Sequence, residues 1–186
     1  PPISTLFPYT TLFRSSNQNA MLLLKVTAQF APEFAGRTGV DGLDDKIFDL
    51  KPDLYKRRQA ATGEAVAELK KRLVTTTDPQ VKQDLDILIA AGEKNLHSSE
   101  LQHQYLLNYI DVAQIEFSGI RFLLDPQVPK ARQAAALTRL KLYAGAAQGV
   151  TPLTELAEQR TSEGFSDKQL KIGRASCLVR FYISGL

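Results

Sequence analysis

His97 and His103 are the only imidazoles in the chain, and both stand among carboxylates. Glu93, His97, Glu100 and His103 follow one another at steps of four, three and three, which on a helix sets them along one side. Glu100-x-x-His103 has the spacing that di-iron helical bundles use. Such a bundle needs a second motif of the same kind and two more carboxylates on facing helices, and there is no third histidine to supply it. A zincin helix needs His-Glu-x-x-His, which a step of six residues between the histidines does not provide. On a helical wheel His103 falls on the apolar stripe with Leu96, and His97 falls near the polar edge. Histidines at the boundary of a core are the reading this pattern favours. A metal held at Glu100 and His103 is the sharper alternative.

Other chemistry-bearing residues point the same way. Asp41-Gly-Leu-Asp44-Asp45 lacks the alternating oxygen ligands of an EF-hand, and the twelfth position counted from Asp41 is Pro52 where that loop needs a glutamate. Aspartates so placed cap helices and close turns. Arg121 lies between Ile120 and Phe122 in the most apolar segment of the chain. Its guanidinium could clamp a carboxylate, but an edge position with a buried stem, paired to Glu116 or Asp125, is the plainer expectation. Lys56, Arg57, Lys70, Lys71 and Arg72 form a basic face interrupted by Glu64 and Glu68, without interleaved aromatics. That is a solvated helix face, and no nucleic-acid partner is expected. Phosphate loops, nucleophile elbows and dinucleotide fingerprints are absent from the sequence. No catalytic, cofactor-binding or metal residue is therefore assigned.

The elements that would position these residues are helical almost throughout. Leu23, Leu24, Thr27, Phe30, Ala31 and Phe34 form the apolar side of a first helix that starts near Ala20 and ends near Pro32. Glycines and aspartates make 36–45 a loop. A second helix opens at Pro52-Asp53 and repeats Leu54, Arg58, Ala61, Ala65, Leu69 and Leu73 along one face. Thr75-Thr-Thr-Asp78-Pro79 is the clearest boundary, with Asp78 as cap and Pro79 in the first turn. Val81, Leu85, Leu88, Ile89, Gly92 and Leu96 stripe a third helix that runs to about His103. Residues 104–125 predict a buried helix stopped by Asp125-Pro126, although their Ile, Val and Phe content leaves a strand open. Pro129–Tyr143 reads as one Ala-rich helix closing at Gly145. A short helix follows Thr151-Pro152, and 161–167 reads as loop. The fold class expected is all-α, with five to six amphipathic helices.

Composition has to be read with the ends set aside. Thr5–Ser15, TLFPYTTLFRS, is the translation of a widely used sequencing-library adapter, and Ile172–Cys177, IGRASC, is the translation of its opposite strand. Residues 1–15 and 171–186 are accordingly read as adapter-derived and excluded from the fold, with 1–15 expected to be a disordered arm. The whole chain of 186 residues has 23 Lys+Arg against 20 Asp+Glu, a net charge of +3. The two ends hold Arg14, Lys171, Arg174 and Arg180 and no acids, so 16–170 keeps 19 bases against 20 acids and carries −1. The basic balance, which would otherwise hint at a nucleic acid or membrane surface, belongs to the ends. So does Cys177, the only cysteine, which leaves 16–170 with neither disulfide nor thiolate site. No apolar run approaches the roughly 18 residues of a membrane span, and no membrane span is expected.

From Phe34 to Leu50 the chain resembles the start of the bacterial domain-of-unknown-function 885 family: a helix, Pro32-Glu33, a Gly-containing turn, then spaced aspartates before a long helix. Asp78-Pro79-x-Val81-x-Gln83-Asp84-Leu85, Phe117-Ser-Gly119-Ile-Arg121-Phe-Leu123-Leu124-Asp125 and Arg139-Leu140-x-x-Tyr143-Ala144-Gly145 continue the likeness in order over 17–163. The resemblance implies an N-terminal part of a longer helical protein, similar to zinc metallopeptidases, whose His-Glu motif would lie in a C-terminal half. No position of 16–170 matches that motif. By this likeness the helices form one wall of a substrate cleft, with Arg121 and Tyr109 facing it. The partners implied are the C-terminal half and a peptide substrate. Zinc would belong to the full-length parent, and the family's habit suggests export or a periplasmic site. A self-contained helical interaction module is the alternative.

Overall fold

The structure, a computed structural model, describes residues 8–106 and 109–168. Among them the fold is all-α, with eight helices and no strand. They are α1 (Pro8–Phe30), α2 (Pro32–Arg37), α3 (Leu54–Thr75), α4 (Pro79–Tyr105), α5 (Val112–Leu123), α6 (Lys130–Gln133), α7 (Ala135–Tyr143) and α8 (Leu153–Lys168). Two compact units divide the chain: Pro1–Asp44 with Asp53–Glu100, and Asp45–Pro52 with Leu101–Leu186.

In the first unit α1 packs on α2 and α3. The core is Val66 and Leu69 of α3 against Val81, Leu85 and Ile89 of α4, with Leu22 and Leu23 of α1 alongside. Leu69 and Leu85 are fully buried, each contributing about 1.5–3 kcal/mol by leaving water. The stripe read from α4 is the stripe that is buried. Asp78 caps that helix as its position foretold, its Oδ1 accepting from the amides of Gln80 at 2.8 Å and Val81 at 3.3 Å.

Three details of this unit depart from the sequence reading. α1 begins at Pro8, so the arm expected to be disordered through Ser15 is helical from there onward. Once the packed part of a helix is nucleated, each preceding residue adds a hydrogen bond for one residue fixed, and proline suits the first turn. Residues 1–7 and 171–186 lie outside the described residues. Second, Pro32 starts a short separate helix, and Phe34 is exposed there, under the Arg37 guanidinium at 5.5 Å, and not on the apolar side of α1. Third, the basic face of α3 is partly engaged: Arg72 reaches the buried Asn19 of α1 at 3.0 Å, and Lys70 meets Glu93 of α4 at 2.6 Å.

In the second unit α5, α7 and α8 pack together, burying Leu123, Ala136, Tyr143, Leu153 and Ala157, with Leu50 also buried. The segment 104–125, expected as one buried helix, is broken. α4 continues to Tyr105, and α5 starts after Asp111, whose carboxylate caps the Gln114 amide at 3.0 Å. Pro129–Tyr143 is likewise two pieces, α6 and α7, meeting at Ala134. Gly145 ends α7 in the left-handed region, φ 67°, where a Cβ would stand 2.7 Å from Pro152 Cδ, so only glycine fits. Residues 161–167, read as loop, are helical within α8. Thr161, buried on the stripe of Leu153 and Ala157, donates to the Ala157 carbonyl at 2.8 Å, and Arg160 pairs with Glu163 at 2.8 Å. These contacts outweigh the Ser and Gly content that suggested a loop.

Candidate functional site

The sequence singled out Arg121 and Tyr109, and both belong to the second unit. α5 places Gly119 and Leu123 inward. On its opposite side Phe117, Arg121 and Leu124 recur at steps of four and three, all exposed, a helical face turned to solvent. Phe117 is 61% and Leu124 58% exposed. The Arg121 guanidinium lies over the Phe117 ring at 5.9 Å, a contact worth about 0.5–1 kcal/mol at an exposed site. The expected pairing of Arg121 with Glu116 or Asp125 does not form. Glu116, five residues back, lies on another side of the helix, Asp125 lies beyond its end, and Phe117 stands one turn back on Arg121's own side. Asp125 instead closes the turn after α5 by accepting the Gln127 amide at 2.8 Å. Glu116 is partly covered, and burial pushes its carboxyl above the usual carboxylate range.

Tyr109 is 45% exposed and stands ahead of α5. About 14 Å of helix rise separates Val112, the first residue of α5, from Arg121.

What holds α5 in place is a residue the sequence reading left without a role. Arg139 of α7 is 1% exposed, and its Nη1 donates to the Gly119 carbonyl of α5 at 3.0 Å. Ala136, Arg139 and Tyr143 share the buried side of α7. The steps of three and four could have flagged an arginine on a core stripe. Leu137 and Leu140 of α7 are exposed, at 61% and 50%. A second guanidinium, from Arg132 of α6, lies 5.6 Å from the Phe122 ring.

The histidines sit as their wheel positions place them: His97 exposed and His103 half-buried on α4. Among the described residues no three His, Cys, Asp or Glu side chains stand close enough to hold a metal ion. The zinc implied for a longer parent therefore finds no fitting ligand set in them. Asp49 spends a carboxylate oxygen on the Lys51 amide at 2.9 Å, a turn closure. No helix among the described residues is long and apolar enough to cross a membrane. Comparison with protein families, curated proteins and solved structures gives no match.

Proposed function

We propose that residues 16–170 are a non-catalytic N-terminal helical region of a zinc metallopeptidase-like hydrolase, forming part of the wall of its substrate cleft. The observation that carries this reading is the set of exposed apolar side chains on the second unit: Phe117 beside Arg121 on α5, Leu124 just past its end, and Leu137 and Leu140 of α7. Apolar side chains gathered on one unit commonly mark a surface that another body covers. Two of the motifs that carry the family resemblance meet in the core beneath these helices, since Gly119 and Arg139 come from them and bond to each other. On this reading the covering body is the C-terminal half, and Arg121 and Tyr109 present a cation and a phenol toward a peptide substrate.

The test is sedimentation velocity together with binding of an apolar fluorescent dye to the whole chain. Self-association or dye binding that falls when Phe117→Ser and Leu124→Ser are combined, with the thermal melt unchanged, supports the reading. A dye-silent monomer supports the alternative, a self-contained interaction module. That alternative draws on the closed core of the first unit, where Leu69 and Leu85 are already fully buried.

A further inference from the structure

The first unit has a cleft of about 200 Å³ where α1, α3 and α4 meet. Its apolar wall includes Leu23, Val26 and Phe30 of α1 and Ala91 and Gly92 of α4. Gly92 lines this cleft where α4 sits tightly on its neighbours: a Cβ there would stand 2.5 Å from Val66 Cγ2 and 3.7 Å from Leu23 Cδ2.

Four polar residues complete the lining, and their hydrogen bonding separates them into two kinds. Thr27 and Thr62 are spent on their own helices, donating to the carbonyls of Leu23 at 3.2 Å and Arg58 at 2.8 Å. The side chains of Arg58 and Asn95 make no hydrogen bond or ion pair with any described residue. Acids on the flanking turns of α3 and α4 are engaged elsewhere, Asp53 with Lys56 at 3.2 Å and Glu93 with Lys70 at 2.6 Å. A second guanidinium, that of Arg57, lies 5.5 Å from the Phe30 ring. An apolar hollow therefore carries an uncompensated cation and a free amide.

We propose that this cleft binds a monocarboxylate whose adjoining group is apolar, with Arg58 and Asn95 taking the carboxylate and the hollow beside Leu23, Phe30 and Gly92 taking the apolar group. Guanidinium is the side chain best matched to a carboxylate, through two parallel N–H donors. An apolar cavity of about 150 Å³ holds a benzene ring, so a phenyl or branched aliphatic group fits the space. The cleft is open and the ligand small, which sets the dissociation constant on the order of 1 mM. The same chemistry is offered by a free carboxylic acid and by the C-terminus of a peptide ending in an apolar residue. This inference does not depend on the hydrolase reading, which concerns the other unit.

The test is ¹H–¹⁵N correlation spectroscopy of the whole chain titrated with 3-phenylpropanoate, 3-phenylpropan-1-ol and 3-phenylpropylamine. Saturable shifts at the cleft residues are expected for the acid, with at least tenfold weaker binding of the alcohol and the amine. Arg58→Gln, at an exposed position, is expected to weaken the acid about tenfold while leaving the spectrum of the core unchanged. Ala91→Leu, which fills the hollow, is expected to weaken acid and alcohol alike. N-acetyl-Gly-Phe and its C-terminal amide distinguish the sources: binding of the peptide acid as tight as phenylpropanoate identifies a chain terminus, and its exclusion identifies a free acid. Equal binding of acid and alcohol, no saturable shift at millimolar ligand, or indifference to Arg58→Gln overturns the proposal.

Discussion

Gly92 of α4 lies against Val66 of α3 so closely that a Cβ added to it would stand 2.5 Å from Val66 Cγ2. Both residues are buried, and Val66 belongs to the core that joins the two helices. Gly92→Ala would improve the intrinsic helix propensity of α4 by about 1 kcal/mol. Overpacking costs about 1–3 kcal/mol, and it wins because Val66 is held on a buried helix face. The expected outcome in urea denaturation is a lower midpoint for Gly92→Ala. Adding Val66→Ala should make the pair less destabilised than the sum of the two single changes, since the sites touch.

Leu69 and Leu85 are fully buried, whereas Ile87 on the same helix as Leu85 is 60% exposed. Leu69→Ala and Leu85→Ala should each cost about 2–5 kcal/mol. Ile87→Ala should stay within about 0.5 kcal/mol. Chemical denaturation of the three variants checks this directly, and equal losses at Leu85 and Ile87 would put the core in the wrong place.

The Arg139 contact to the Gly119 carbonyl ties α7 to α5 with a charged donor. Such bonds contribute about 1.5–3 kcal/mol, and the buried stem adds packing. Arg139→Ala should therefore lower the stability of the second unit by at least about 2 kcal/mol. Hydrogen exchange at amides of α5 and α7 reports the loss locally, and protection in α3 and α4 is expected to remain.

Burial raises the Glu116 carboxyl, so between its unfolded and folded titration points the folded chain binds the extra proton. Stability then falls as pH rises through that window, and the cost is fully present above it. Glu116→Gln should raise the melting temperature slightly at about pH 7 and leave it unchanged near pH 3, below both titration points, where the carboxyl is protonated in either state. A gain of equal size at both pH values would show that charge burial is not its cause.

Much of this fold is legible in the residues. Val81, Leu85, Ile89 and Gly92 announce the buried stripe of α4 by spacing alone, and Asp78-Pro79 announces its start. What failed did so where a local signal competed with packing. The Ser and Gly content of 161–167 suggests loop, but Thr161 is held in a buried stripe with Leu153 and Ala157. The apolar run 104–125 hides a helix start, because Asp111 caps α5 from within it. Arg121 was expected beside an acid and lies over Phe117 instead, since an acid near in sequence need not face the same side of a helix. Arg139 and the cleft at Arg58 depend on which helices meet, and no single-helix pattern contains that information.

An adapter-free, long-read determination of the source locus, followed by translation of its open frame, decides whether 16–170 is the N-terminal part of a longer hydrolase. TLFPYTTLFRS and IGRASC are expected to be absent, and the frame is expected to continue past Leu170 into a His-Glu zinc motif. A locus that encodes both segments as they stand and stops at Leu186 would contradict this and leave a small basic helical module.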